Sequence, residues 1–578
     1  MNDIKPSTAK EDRQKALDVD RKRILNLSPE KALDAIADHP YPVTLVQSMA
    51  DEDLYFLVHH IGPEDALPVL AIASNEQWDY LLDMEGWEKD HLHPHLMTQW
   101  LARLLKADSY RFTHWIANQK QEESALYLFR NIQLHIREYE EDPGDVGDDY
   151  FSEDQTHYIR LLPYPEKHQN LQEERDLFVK DLLNRLSVYD YAYYRNLLLA
   201  AHSVIPAEAE EELFRQRNIR LAEKGLLPFD EAIGVYQPLN AADLAGRSPK
   251  SDRFEGRIVD TYPLPITPGS SGNNLFSRTL SGIHDGPILE KLQAEFAGLC
   301  NQVISADQRR IRDKAALESI VRKVSDYISI GLEKAEAEAG DKTPYFHAGL
   351  VQRHLLSDLF RVGYGCALAL KWRADKWHTA SWYADAGLPI SFWGEHFMGV
   401  LGGLLLKKPL CYDAYAAGEL YREFTTLAEI EHSGNQLDRM IAFDDLLSLM
   451  GAEPGRLYSD LLLTYENLLL TMWANHYLDM GADPKFPRPL NREQFGRIFA
   501  DLWQEGPPPR KINDAIREIF LGWLADRSGL TTYQISERMA TALEELFGKI
   551  ESELGRIQPK DLDPRYIQLF LLKVELEV

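Results

Sequence analysis

Five closely spaced helix-start signals in the first hundred residues restrict that part of the chain to short helices. Ser28-Pro29-Glu30 sets a capping hydroxyl before a proline, and Ser48-Met49-Ala50-Asp51 spaces a serine and an acid as a capping box does. Gly62-Pro63-Glu64-Asp65 repeats the cap, proline, acid order. Ser74-Asn75-Glu76-Gln77 is a second box, and His93-Pro94 is a fifth start. Proline suits the first helical position because the N–H it lacks would be unpaired there anyway. The caps lie 20, 14, 12 and 19 residues apart. Helices of that length do not hold alone in water, so residues 24–137 are expected to stack into a superhelix. Apolar positions recur at helical spacing: Leu54, Leu57, Val58 and Ile61, then Trp78, Leu81 and Leu82, then Trp100, Leu101, Leu104 and Leu105.

The remainder divides by composition. Residues 1–23 are charged without an apolar period and read as a flexible lead-in. Residues 138–154 hold nine acidic residues and no Lys or Arg, with Pro143, Gly144 and Gly147, and read as an acidic loop. Residues 155–239 are expected to be a helical extension with a small hairpin, Thr156 to Leu161 pairing with Tyr150-Phe151. Residues 240–287 gather Pro263, Pro265, Pro268, Gly269, Ser270, Ser271 and Gly272, and read as the linker at the main domain boundary. Residues 288–578 form the C-terminal helical domain, with helices expected over 288–304, 308–339, 346–376, 392–407, 413–430, 435–450, 456–480, 491–504, 510–526 and 533–554. Tyr566 to Val578 adds a strand or an apolar tail. The fold class is therefore mainly α, a superhelix of short helices plus a larger helical domain, with at most a minor hairpin.

Charge narrows the partners. The chain has 63 Lys and Arg against 91 Asp and Glu, a net charge of −28. That surplus argues against nucleic acid and against an anionic membrane surface. It serves solubility, and behind that it suits polyvalent cations or basic proteins. Cys300, Cys366 and Cys411 are far apart, which gives neither a disulfide framework nor a metal knuckle and fits a reducing compartment. The polar start lacks a signal-peptide core, and the longest apolar run, Phe397 to Leu406, is too short to span a bilayer. A cytoplasmic location without membrane insertion is expected.

Few residue patterns suggest chemistry. His91, His93 and His95, near His59-His60, alternate as metal ligands can, but the helix starting at Pro94 turns the His93 and His95 rings apart. His347, His354, Asp358 and Arg361 fall on one face of the helix expected from Phe346, either as an oriented base or ligand pair or as a polar stripe with Arg361 paired to Asp358. Glu429 and His432 make a Glu-x-x-His half-site, of which Glu88 and His91 are the other instance, and such matches also arise by chance. Trp372, Trp377, Trp382, Phe392, Trp393 and Phe397, around His378 and Glu395-His396, either wall a ligand pocket or fill a core. The acidic loop lacks calcium-loop spacing. The chain contains no P-loop, dinucleotide fingerprint, nucleophile elbow or His-Glu-x-x-His.

The segment from Ile24 to Ala107, with its Pro63-Glu64-Asp65-Ala66 helix start, resembles the cytosolic N-terminal domain of MgtE-type magnesium channels. The flagellar motor switch protein FliG uses similar short-helix units. The chain lacks the channel family's membrane part, so the resemblance implies a stacked fold and not transport. Through Arg220 to Gly225, Pro228 to Ala232 and Asp358 to Tyr364, the whole chain resembles a bacterial family of soluble proteins of unknown function. That resemblance transfers no active site.

These readings leave two expectations. The first is a non-catalytic protein-interaction or scaffold protein whose superhelix presents a binding face to a protein partner. The alternative is a metal- or small-ligand-dependent enzyme or sensor in the C-terminal helical domain, built on His347, His354, Asp358, Glu395, His396, Glu429 and His432. No motif calls for a cofactor. The acidic surface and the channel resemblance admit a divalent cation. The sequence gives no oligomeric state.

Overall fold

The computed structural model describes residues 16–138, 142, 146–164, 171–244, 246–247, 250, 274–340, 346–454, 462–481 and 485–573. Most of the expected lead-in, part of the acidic loop, the Pro/Gly/Ser cluster of the linker and the last five residues lie outside them. The described chain is mainly helical, with three two-stranded antiparallel pairs.

The short helices are α1 (Pro29–Ala37), α2 (Pro42–Gln47), α3 (Asp51–Ile61), α4 (Leu67–Ile72) and α5 (Asn75–Glu85). A small hairpin, β1 (Trp87–Glu88) and β2 (His91–Leu92), leads into α6 (Pro94–Ala107), α7 (Ser109–Gln119) and α8 (Gln121–Asn131). From α1 to α4 each helix packs on the one two places further along. Helices of six to fourteen residues thereby bury Leu54, Trp78 and Leu104 completely.

Two of the five caps act as the spacing predicts. Ser74 and Gln77 form a reciprocal capping box, and His93 Nδ1 accepts from the Leu96 N–H at 3.3 Å. Ser28 precedes Pro29 without a side-chain cap bond. The other two require correction. The Ser48 hydroxyl donates to the Leu45 carbonyl at 2.8 Å and closes α2, while α3 starts uncapped with Asp51, Glu52 and Asp53 in its first turn. Acids there favour the positive helix end without a cap. Gly62, at φ +103°, ends α3, a backbone conformation open mainly to glycine, and α4 begins only at Leu67.

The array does not stay helical to 137 as its spacing suggests. Ile132–Ile136 is β3, paired with β4 (His157–Leu161), and Phe151 bridges Ile159 as the outer strand residue. Asp154 anchors this hairpin. Burial opposes its charge, but the backbone N–H groups of His157 and Thr156 and the His157 ring hold its carboxyl down at about 2. α9 (Gln172–Tyr189), α10 (Tyr191–Ser203) and α11 (Pro206–Glu223) follow.

Helices α12 (Phe229–Ala232) and α13 (Ala241–Leu244) lie against α15 (Gly286–Asp307) and α16 (Lys314–Ala339). Within the stretch that reads as linker, α14 (Leu275–Ser281) packs on α16 and buries Phe276 and Leu280. The single helix expected over 346–376 is broken into α17 (Phe346–Arg353) and α18 (Leu356–Ala380), which ends the common face proposed for His347, His354 and Asp358. α16 and α18 cross with backbones touching. A Cβ on Gly363 would overlap the Tyr327 carbonyl, and one on Gly331 the Leu359 carbonyl. The chain continues through α19 (Trp382–Asp385), a single 3-10 turn over Ile390–Trp393 and α20 (Gly394–Leu405).

Residues 413–430, expected to be helical, instead form the loop of a hairpin, β5 (Cys411–Tyr412) and β6 (Tyr421–Arg422), followed by the start of α21 (Leu427–Leu449). The ring of Tyr412 lies where a Cβ on Gly399 would stand, so the glycine-rich α20 accepts this hairpin at close range. α22 (Tyr465–Tyr477), α23 (Arg492–Asp501), α24 (Asp514–Ser528) and α25 (Thr532–Leu554) complete the fold, and Leu572 bridges Leu490 in parallel. Among the described residues no helix is long and apolar enough to cross a membrane.

Candidate functional site

A cleft of about 620 Å³ opens where the 3-10 turn before α20, β5, α21, α22 and α25 converge. Its buried floor is Trp393, Phe397, Gln436, Phe443, Tyr465, Ala542 and Leu546, and its exposed rim includes Glu395, His396, Glu545 and Lys549. Strong helix starts fix the walls. Thr426 caps α21, and Thr464 with Asn467 and Thr531 with Gln534 make full capping boxes on α22 and α25.

The floor is a continuous run of rings. Tyr465 lies 5.7 Å from Trp393, 5.6 Å from Phe397 and 4.8 Å from Phe443, centroid to centroid. The Tyr465 hydroxyl donates to Glu466 at 2.9 Å, and Lys549 pairs with the same carboxylate. Burial, reinforced by Glu466, pushes the Tyr465 hydroxyl well above its ordinary pKa. Partial desolvation, then the neighbouring His432 and Lys549, lowers that of His396 and disfavours its charged form. Two atoms of floor residues, the Trp393 indole N–H and Gln436 Oε1, are sealed from solvent and have no hydrogen-bond partner among the described residues.

The aromatic constellation therefore divides. Trp377, Trp382 and Phe392 belong to a core built around Asp444, which accepts from the Trp377 indole at 3.3 Å and from the backbone N–H groups of Trp382 and Tyr383 at 3.1 and 2.9 Å. Trp372 points to solvent. Trp393 and Phe397 carry the same aromatic layer on into the cleft.

The seven candidates for a C-terminal site do not converge. Glu395 and His396 line the cleft, and the exposed His432 lies outside its lining, 3.4 Å from the Gln436 amide. Glu429 is held by Arg422 through two bonds of 2.8 and 3.1 Å and by Thr425, which anchors the hairpin. His347 is 3.4 Å from Glu336. His354 is buried at the break between α17 and α18, and Asp358 pairs with Arg247 at 2.5 Å and Arg361 at 3.6 Å. In the N-terminal region the His93 and His95 rings stand 6.4 Å apart, edge to face. Among the described residues no group of three His, Cys, Asp or Glu side chains is arranged to hold a metal ion.

Sequence reasoning misses Tyr412, Gln436, Phe443, Tyr465, Glu466, Ala542, Glu545, Leu546 and Lys549. A signal exists on α25, where Ala542, Glu545, Leu546 and Lys549 stand at offsets 0, 3, 4 and 7 on one helical face. Gln436 and Phe443 are likewise two turns apart on α21.

A second polar cluster is closed on itself. Asp307 accepts from Tyr236, Lys323 and Lys408, and Glu423 accepts from Lys323 at 2.8 Å and Tyr327 at 3.0 Å. Two lysines face two carboxylates, so the network pins α15, α16 and the segments at 236, 408 and 423 together.

A family model described as "Family of unknown function (DUF6178)" matches residues 9–573, nearly the whole chain. No curated protein and no solved structure matches it.

Proposed function

We propose a function for a chain that belongs to this family of unknown function: it binds a small organic ligand in the cleft between α20, α21, α22 and α25. The observation that supports this reading is the cleft itself, about 620 Å³ over a floor that includes Trp393, Phe397, Phe443 and Tyr465, with Glu395, His396 and Lys549 at its rim. The cleft also has the usual make-up of a ligand pocket, apolar and aromatic walls with a few polar groups. Saturation-transfer NMR with a mixture of small fragments tests it on the full chain. Wild type should transfer saturation to some fragments, and Ala542→Trp, which fills the cleft, should abolish the transfer while the far-UV spectrum stays unchanged. Equal transfer in both proteins contradicts the reading.

A second reading, protein binding by the N-terminal helices, is favoured by an exposed aromatic patch. Tyr110 is 75 % exposed, its ring is 6.5 Å from that of Tyr189, and His114 flanks Tyr189 at 6.3 Å. A non-catalytic scaffold of this kind, working in the cytoplasm, would yield a stoichiometric partner whose crosslinks map to this patch. Crosslinks elsewhere, or none, would count against it. The resemblance to the magnesium-channel domain belongs with this reading. It adds divalent-cation sensing, which requires a melting shift at millimolar magnesium.

A further inference from the structure

We propose that Arg217 and Arg310 bind the dianionic phosphoryl group of a small ligand at the end of α5, a site that shares no residue with the cleft. Three observations support it.

The first is a convergence of guanidinium groups. α11 carries Arg217 and Arg220 three residues apart on one face, and the segment between α15 and α16 carries Arg310 and Arg312. All four reach the last residues of α5 and the start of β1. Arg217 Nε donates to the Asp83 carbonyl at 2.7 Å, and Arg310 Nη2 to the Trp87 carbonyl at 2.5 Å. Arg220 takes the Asp83 carboxylate with bonds of 2.7 and 2.8 Å, and Arg312 takes that of Glu85.

The second is the charge balance. Asp83 and Glu85 are each claimed by one arginine through two bonds, so four guanidinium groups share two carboxylates. Arg217 and Arg310 hold only backbone carbonyls among the described residues. Asp79 and Glu123 act on Arg220, and Lys120 pairs with both, at 2.7 and 2.9 Å. The one carboxylate among the described residues that acts on Arg217 is that of Asp83, which Arg220 already holds. The C-terminal end of α5 supplies about half of one negative charge. Around Arg217 and Arg310, more than one positive charge therefore stays unanswered. Burial holds the Arg217 pKa down at about 10; Asp83 opposes this, and the neighbouring Arg220 and Arg310 reinforce it. A dianion bound between Arg217 and Arg310 relieves that repulsion.

The third is access. A guanidinium has five N–H donors, and each of the two arginines spends one on its carbonyl. Both residues are partly exposed, and none of their remaining nitrogens is sealed from solvent. Arg217 Cζ also lies 5.7 Å from the centre of the Trp87 ring, and its Nε bond fixes the fork in place. Arginine forks match the oxygens of a phosphoryl group, whose two charges answer the surplus where a carboxylate brings one.

The test titrates four anions calorimetrically into the full-length protein at pH 8 and equal ionic strength. Inorganic phosphate and methyl phosphate are dianions there; dimethyl phosphate and acetate are monoanions. The expected result is that both dianions bind at least about tenfold tighter than either monoanion. Whichever dianion binds tighter identifies the source, an ester or the free anion. Arg217→Gln and Arg310→Gln each keep a side-chain N–H for the carbonyl and remove one guanidinium, and each should cut phosphate affinity about tenfold. Arg310→Lys, which keeps the charge without the fork, should fall between. Absent or undiscriminating binding of the four anions by the wild type would overturn the proposal, whatever the variants do. Phosphate binding that both glutamine variants leave unchanged would also overturn it, leaving the two arginines as caps for the end of α5. Neither outcome bears on the cleft, which the fragment experiment tests separately.

Discussion

Arg312, just ahead of α16, grips the carboxylate of Glu85 at the end of α5 with two hydrogen bonds, 3.0 Å from Nε and 2.6 Å from Nη2. Glu85 is 1 % exposed and also accepts from the Tyr55 hydroxyl at 2.7 Å, with His59 Nε2 at 3.2 Å. Burial raises the cost of its charge, but His59, Arg312 and Tyr55 together hold its pKa at about 2. The short-helix array is thereby fastened to the C-terminal half. Arg312→Ala should lower stability by about 1–3 kcal/mol at pH 7, below the range of a fully buried pair because the arginine is half exposed. Because the folded pKa is depressed, the Glu85 contribution is complete above its ordinary value near 4.5 and is lost as pH falls toward 2. Urea unfolding at pH 7 and at pH 3 checks both statements, and the gap between variant and wild type should shrink in acid.

The crossing of α16 and α18 depends on missing side chains. Gly363→Ala should destabilise by about 3 kcal/mol, because the added methyl meets a backbone carbonyl that has no rotamer to move to. Gly522→Ala, inside α24 with open space around it, should stabilise by up to about 1 kcal/mol through helix propensity. Thermal melts of the pair separate overpacking from propensity.

Asp326 on α16 has its pKa pushed up to about 7 by burial, against the bond from Asn274. The folded state thus holds a proton that the unfolded state releases near pH 4. Stability should fall as pH rises between roughly 4 and 7, with the full penalty present above pH 7. Each tenfold difference in proton affinity between the two states is worth about 1.4 kcal/mol. Asp326→Asn should raise the melting temperature at pH 8 and change it little at pH 4.

Asp444 satisfies three donors inside the aromatic core. Asp444→Ala should cost about 2–4 kcal/mol by leaving them unmet. Asp444→Asn, which keeps one acceptor oxygen, should cost less. Denaturant midpoints order the two variants.

Ser74→Ala should cost about 1 kcal/mol because it removes a capping box, whereas Ser48→Ala should stay within about 0.5 kcal/mol because that hydroxyl caps nothing at a helix start. Paired melting curves test the contrast.

These two serines show how far local pattern reaches. The fold class and the short length of the N-terminal helices are legible, because proline, caps and apolar spacing are local signals. Their positions are less so. Ser48 satisfies the box pattern, yet the three acids that follow start α3 without it. The hairpin at 411–422 is hidden because Ala- and Leu-rich spacing over 413–430 fits a helical period. It is set instead by a tertiary contact, Tyr412 against Gly399.

The cleft is half legible. Trp393, Phe397, Glu395 and His396 sit together in the sequence and announce an aromatic, polar neighbourhood. Gln436, Tyr465 and Lys549 come from three other helices, and each looks ordinary on its own helix. On α25, Glu545 and Lys549 read as a solvated stripe. Only the convergence of α21, α22 and α25 turns that stripe into a rim. His347, His354 and Asp358 look aligned because the break at His354 and Leu355 has no proline or glycine to mark it.

The most direct test of the ligand site is the Trp393 indole resonance in a proton–nitrogen spectrum, assigned by its loss in Trp393→Phe. A ligand filling the cleft should shift this N–H signal, because the Trp393 ring is part of the floor. A fragment that binds the protein while this resonance stays in place would contradict it.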